Sequence, residues 1–207
     1  MPTRCCFVKK LLSAFGRLFY FLLAQGGKTM NFKAKIFDES DINRVLIRIA
    51  HQICEKNGGI DNLCLIGIRT RGVPIAKRLA ENIGKIEGRM PEVGALDITM
   101  HRDDIDKEPS APVVSSTDVP FSVEGKTVVL VDDVIYTCRT ARADLDAVMA
   151  LGRPARIQLS VLIDRGHSEL PIRANFVGKN IPTSQEEIIA VRLAECDGED
   201  SVSIYSK

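Results

Sequence analysis

The chain lacks several things. No two cysteines form a C-x-x-C pair, no segment repeats, and no apolar run is long enough to cross a bilayer. The six cysteines (Cys5, Cys6, Cys54, Cys64, Cys138 and Cys196) are scattered, and Cys54 and Cys64 fall in apolar patterns. This excludes a disulfide framework and a zinc site built on paired thiolates, and points to a reduced, cytoplasmic protein. The stretch LLSAFGRLFYFLLAQ, residues 11–25, is broken by Arg17 and falls short of the roughly 20 apolar residues a transmembrane helix needs. GGKT at 26–29 resembles the end of a phosphate loop, but Leu22 stands where its first glycine belongs, so that motif fails. No Cys–His or Ser–His arrangement suggests a side-chain nucleophile. The first 29 residues contain no acid but five basic residues, leaving 23 basic against 27 acidic residues in the remainder. A mildly acidic body is not a general nucleic-acid binder, and any RNA contact needs a local basic patch. A basic start before an apolar run imitates a signal peptide. Met30, however, is followed by NFKAKIFDE, which reads as the natural beginning of a domain. The first 30 residues are therefore expected to be an extension, disordered or loosely helical, ahead of one domain at 31–207.

The domain is organised around Val128–Thr140, VVLVDDVIYTCRT. Four apolar residues, three of them β-branched, predict a strand buried on both faces, as in a parallel sheet. Asp132 and Asp133 follow at its expected end, and then Tyr136 and a hydroxyl-bearing turn, Thr137-Cys138-Arg139-Thr140. A helical pattern starts at Ala141. Ligands of open α/β sheets bind at the carboxyl ends of strands, and a helix N-terminus suits a phosphate. Two carboxylates beside such a cradle suit a ribose 5-phosphate, whereas solvated strand-end acids are the plain alternative.

Upstream, Leu63–Ile68 predicts a second buried strand running into Arg69-Thr70-Arg71-Gly72, with Pro74 in the first turn of a helix to about Ile83. Arginines at such a junction suit a pyrophosphate, because each guanidinium offers a fork of donors. Ser40 is placed to cap a helix to about Lys56, with Ile42, Val45, Leu46, Ile49 and Ile53 as its buried stripe. Arg44, Arg48 and His51 project together from another face, either as a solvated surface or as an RNA-phosphate strip. Glu92–Met100 predicts a strand, followed by a long polar loop from His101 suited to covering a site. Arg102 in that loop is a candidate cation for pyrophosphate. A final Asp197-Gly198 turn divides two short strand patterns.

All thirteen positions of Val128–Thr140 fit the phosphoribosyl-pyrophosphate (PRPP) motif, and the chain in this respect resembles the type I phosphoribosyltransferases. With LIRIAHQI, GIRTRG, LDITMHRDD and DRGHSELPIRANFVGKNIPTS, residues 31 to about 205 resemble, more narrowly, the bacterial family of bifunctional pyrimidine-operon attenuation regulators and uracil phosphoribosyltransferases. The resemblance implies a mainly parallel central sheet flanked by helices, a small C-terminal hood and a flexible loop that excludes water. It implies transfer from PRPP to uracil with Mg²⁺, giving UMP and pyrophosphate. It implies binding of UMP or UTP, binding of the pyrimidine operon mRNA leader to promote termination, and assembly into homo-oligomers without a membrane. Thr70 and Arg71 then fall in the pyrophosphate loop, with Arg102 beside it. Asp132 and Asp133 fall at the ribose. The stretch Val134, Ile135, Tyr136, Thr137, Cys138, Arg139 and Thr140 leads into and holds the 5′-phosphate, and Arg165 and the backbone near Ile189 lie toward nucleotide and base. The RNA surface falls on Arg44, Arg48, His51, His167 and Lys179. Two further readings stay open: an RNA-binding regulator with only vestigial transferase activity, and a purine phosphoribosyltransferase.

Four positions depart from the family pattern. Cys138 replaces the usual glycine, implying weaker PRPP affinity and a thiol exposed to oxidants at a helix N-terminus. Ile47 replaces a frequent threonine, removing a hydrogen-bond donor from the RNA strip, and His101 and Arg69 replace a usual Tyr and Lys.

Overall fold

A computed structural model describes residues 30–97 and 117–206. The basic, apolar start of the chain, most of the polar loop after the third strand, and Arg102 with it, lie outside the described residues. So do Met100 and His101. The chain divides into two compact units, Ser40–Thr183 and a smaller one built from the residues up to Glu39 and from Ser184 onward.

The larger unit is a five-stranded parallel sheet. Its strands are β2 (Leu63–Ile68), β3 (Glu92–Leu96), β4 (Thr127–Ile135), β5 (Arg156–Asp164) and β6 (Phe176–Asn180), in the spatial order β3-β2-β4-β5-β6. All six residues of β2 are buried. The apolar runs read as two-sided strands because helices cover both faces. On one face α3 (Arg139–Leu151) packs Ala141, Ala147 and Val148 against Cys64, Ile66, Val128, Leu130, Leu159 and Val161. By the pleat, Leu65, Gly67, Val129 and Val131 face the opposite way, where α1 (Glu39–Asn57) and α2 (Gly72–Glu87) lie. There Asn57 exchanges hydrogen bonds with Gln158. A Cβ on Gly67 would stand 2.5 Å from the Cα of Val73, so this glycine is what lets α2 lie on β2.

Helix α1 buries Ile42, Leu46, Ile49, Ala50, Ile53 and Cys54, the spacing of one helical face. It begins at Glu39, a residue before the expected cap, so Ser40 sits inside it. The Ser40 hydroxyl instead accepts a hydrogen bond from Arg44 Nη2 at 3.1 Å. Asn57-Gly58-Gly59 ends the helix as expected, with the Gly59 N–H bonded to the Cys54 carbonyl at 3.0 Å. Helix α2 outruns its predicted end at Ile83 and stops at Glu87, where Gly88 takes the left-handed conformation.

The smaller unit is an antiparallel sheet of β1 (Asn31–Phe37), β8 (Ser201–Ser206) and β7 (Glu187–Arg192), in that order. The Asp-Gly signal falls at its connection, where the short α4 (Ala194–Asp197) closes on Gly198. No helix among the described residues is long and apolar enough to cross a membrane.

Candidate active site

The ends of β2, β4 and β5 build the site. Strand β4 pairs with β2 as far as Gly67↔Val131, but with β5 as far as Ile135↔Asp164. Asp132 and Asp133 therefore lie within the strand rather than after it, in a stretch that overhangs β2. Each carboxylate folds back on the chain: Asp132 Oδ1 accepts the Asp133 N–H, and Asp133 Oδ1 the Val134 N–H, both at 2.9 Å. This ties the orientation of each acid to the backbone of its own strand.

The turn after β2 meets that overhang. A Cβ on Gly72 would fall 2.2 Å from the Val131 carbonyl oxygen and 3.3 Å from the Asp132 Cα. Only glycine permits this approach, and it brings the start of α2 against the acid pair. Arg71 is the residue preceding α2, and it stands half-buried with its carbonyl bonded to the Ile75 N–H at 3.3 Å. The Arg69–Thr70 peptide is cis. Arg69 leans outward toward Asp97, 3.7 Å away. Beside it a cavity of about 440 Å³ is lined by Arg69, Thr70, Lys77 and Asp118, but not by the acid pair.

The turn after β4 leads into α3, which starts at Arg139, two residues earlier than its pattern predicts. Cys138 holds φ 69°, in the left-handed region where glycine is normally required. Its side chain is buried, makes no capping bond to α3, and lies 3.0 Å from Ser168 Oγ and 3.4 Å from the Ile172 carbonyl. Cys138 is thus packed inside, although it stands at the helix N-terminus as expected. Cys54 and Cys64 are packed too, and burial pushes both thiols up to about 11. Arg139 pairs with Glu169 at 2.9 Å. The first turn of α3 directs its amides into this corner, the arrangement that suits an anion.

From the end of β5, Arg165 donates its backbone N–H to the Ile135 carbonyl at 3.1 Å. Its guanidinium is buried 4.1 Å from the Tyr136 ring centre and donates to Thr183 Oγ1 at 2.9 Å. His167 meets the same tyrosine edge-on at 5.3 Å and is bonded to the Thr183 carbonyl. Tyr136 is thereby held between the two. Val134 and Ile135 complete the strand, and the buried Ile135 side chain joins the core. Ile189 lies in β7 of the smaller unit.

Two features escaped the sequence reading. Asp144 interrupts the buried stripe of α3 and is fully buried. Burial first, then the charges of Asp133 and Asp144, hold the Asp132 carboxyl well above the usual carboxylate range. A carboxylate on an otherwise apolar helical stripe was the available signal. The other is the Gly166–Ile172 connection against the turn after β4, which no local pattern announces.

The basic strip divides. Arg44 bonds within its own helix, to Ser40 and Asp41. Arg48 reaches across to edge strand β6 and donates to the carbonyls of Val177 and Gly178. This brings α1 to the strand that carries Lys179. His51 and Ile47 are exposed on the same helix. His167 belongs to the Tyr136 cluster instead.

A strand-end acid pair between a basic turn and a helix-capped turn defines a class of protein, the phosphoribosyltransferases. The sequence pattern of the phosphoribosyl transferase domain matches residues 34–195. A hypoxanthine phosphoribosyl transferase of Trypanosoma cruzi superposes with a TM-score of 0.67 at 19% identity, covering 86% of this chain and 93% of that one. One from Staphylococcus aureus gives 0.62 at 17%, covering 76% and 82%. At such identities the likeness concerns the fold. The bifunctional protein PyrR of Pelotomaculum thermopropionicum is 64% identical over 83% of this chain and 95% of its own length. That of Clostridioides difficile is 58% identical over 83% and 97%. The chain belongs to the phosphoribosyltransferase family and, within it, to the bifunctional PyrR proteins.

Proposed function

We propose that this protein transfers the phosphoribosyl group of PRPP to uracil, giving UMP and pyrophosphate, and that its uridine-nucleotide complex binds the leader of pyrimidine operon mRNA to promote termination. The observation that carries the reading is the seating of Gly72 on Val131 and Asp132. It sets the arginine turn and the acid pair against one strand end, where a sugar carrying a phosphate at one end and a pyrophosphate at the other must be gripped at both.

Asp132 and Asp133 hold the ribose hydroxyls. The amides and hydroxyls of Thr137–Thr140 hold the 5′-phosphate. Thr70 and Arg71, with Arg102 from the polar loop, take the pyrophosphate. Tyr136, oriented by Arg165, lies toward the nucleotide. In a dissociative displacement the bond between the anomeric carbon and pyrophosphate breaks, the uracil nitrogen bonds to that carbon, and its proton passes to the departing pyrophosphate or to water. Charge stabilisation of the leaving group dominates such a step, and no protein nucleophile is required. Carboxylate oxygens suit Mg²⁺, so Asp132 and Asp133 would face an ion that comes with PRPP. When bound, Mg²⁺ supplies charge neutralisation at the leaving group. Arg44, Arg48, His51 and Lys179 offer the phosphate contacts for RNA, with His167 nearer the nucleotide.

The test is initial-rate assay with PRPP and uracil, hypoxanthine or guanine. UMP formation that Asp133→Ala lowers by at least about a hundredfold supports the reading. Turnover of purines without uracil makes it a purine enzyme. No turnover, with UMP-enhanced leader binding that falls steeply with salt, makes it a regulator alone.

A further inference from the structure

The turn after β4 carries left-handed backbone at Cys138, where any side chain is strained relative to glycine. What keeps it there is visible in the segment that crosses it. Gly166–Ile172 leaves β5 and touches three successive residues of the turn. The Glu169 N–H donates to the Thr137 carbonyl at 3.1 Å. Ser168 Oγ lies 3.0 Å from Cys138 Sγ. Glu169 Oε2 accepts from Arg139 Nε at 2.9 Å. Ser168 has one hydroxyl proton and directs it to the Leu170 carbonyl at 2.6 Å. Both Ser168 Oγ, at 3.3 Å, and Cys138 Sγ, at 3.4 Å, also reach the Ile172 carbonyl, so thiol, hydroxyl and two carbonyls form one small network. The Cys138 side chain, buried and hydrogen-bonded, returns in the folded state what its backbone conformation loses.

We propose that Gly166–Ile172 is a strap that sets the shape of the 5′-phosphate turn, with Ser168 and Glu169 as positioning residues and Cys138 as the point they hold. In this chain the turn is shaped by side chains of a distant segment rather than by the freedom of a glycine. The phosphate role of the turn rests on the function proposed above; the strap itself does not. The strap also includes His167, whose ring meets Tyr136, so the same segment touches the motif at both ends.

Two measurements on the full chain decide it. The first is amide hydrogen exchange of the ligand-free protein. In a Ser168→Ala, Glu169→Ala double variant the amides of residues 137–142 exchange at least about tenfold faster, while those of α1 and β2 keep their rates. Cys138→Gly, despite its easier backbone, loosens the same amides and those of 166–172. The second is kinetic. The double variant raises KM for PRPP about tenfold with kcat within about twofold, and Glu169→Gln, which keeps an acceptor for Arg139, recovers to within about threefold. Unchanged exchange at 137–142 in the double variant overturns the proposal. Acceleration spread evenly through the sheet also overturns it, because it reports only general destabilisation. If the unaltered protein fails to turn over uracil, the functional reading falls, and the exchange result still decides the strap.

Discussion

The two strand-to-helix turns of the site solve one problem in opposite ways. After β2 the chain must pass beneath a neighbouring strand, and it does so by having no side chain: Gly72 rests on Val131 and Asp132. After β4 the chain must enter left-handed backbone, and it does so with a side chain, Cys138, tied to Ser168 and Ile172. The first turn is fixed by contact within the sheet layer and tolerates nothing larger. The second is fixed by a segment some thirty residues away and is adjustable through it. Rigidity is thus concentrated at the turn after β2, and tunability at the turn after β4.

Gly72→Ala breaks the comparison most severely. Its methyl group would meet backbone, which cannot swing aside as a side-chain end can. Separating α2 from β4 is expected to cost about 3 kcal/mol or more and to remove transferase activity with it. Urea unfolding and initial rates measure both. A Cys138→Ala variant, which alters the other turn, is expected to stay folded with a far smaller loss, and equal effects at the two turns would erase the distinction drawn here.

The contrast also explains what could be read from residues alone. The buried strands were legible because four to six consecutive apolar residues admit few other fates, and the acid pair and hydroxyl turn because their types state their chemistry. Gly72 was visible only as punctuation. Its true constraint is the carbonyl of a strand some sixty residues later. The overhang of Asp132 beyond β2 depends on register, which no local pattern encodes. The strap was illegible for the same reason: Ser168 and Glu169 look like ordinary loop residues until the turn after β4 lies under them. Arg48 projects from the predicted face, yet the carbonyls it finds belong to β6, which the sequence reading did not mark as a strand.

Asp132 stands between the two turns, and its substitution sharpens the comparison through pH. Burial and the neighbouring acids raise its folded-state pKa, while an unfolded aspartate titrates near about 3.9. Between those values the folded protein binds the extra proton, so stability falls as pH rises and levels off above the folded pKa. Below both values the penalty is absent. Asp132→Asn removes the charge. Its stability advantage over the unaltered protein should be near zero at about pH 4, grow with rising pH to an amount of order 1 kcal/mol, and come with loss of UMP formation. Urea midpoints at several pH values show this. An advantage that shrinks as pH rises contradicts the assigned shift.

The smallest effect separates side-chain bracing from ligand contact on the basic strip. Arg48 performs for edge strand β6 what Ser168 performs for the phosphate turn, satisfying backbone from a distance. It does so where α1 comes closest to β6, since a Cβ on Gly178 would stand 2.3 Å from the Leu162 carbonyl oxygen and 2.8 Å from Val45 Cγ1. Its loss in Arg48→Ala should cost up to about 1 kcal/mol, the usual worth of such bonds at an exposed position, and weaken leader binding as well. Arg44 bonds only within its own helix turn, to partners equally served by water. Arg44→Ala should change stability by no more than about 0.5 kcal/mol, yet weaken leader binding and lower its salt slope by roughly one unit. Thermal unfolding beside a salt titration of leader binding resolves the two. If both arginines proved equal in stability and in RNA affinity, the hydrogen bonds from Arg48 to β6 would carry no weight, and α1 would be a uniform phosphate-contacting face.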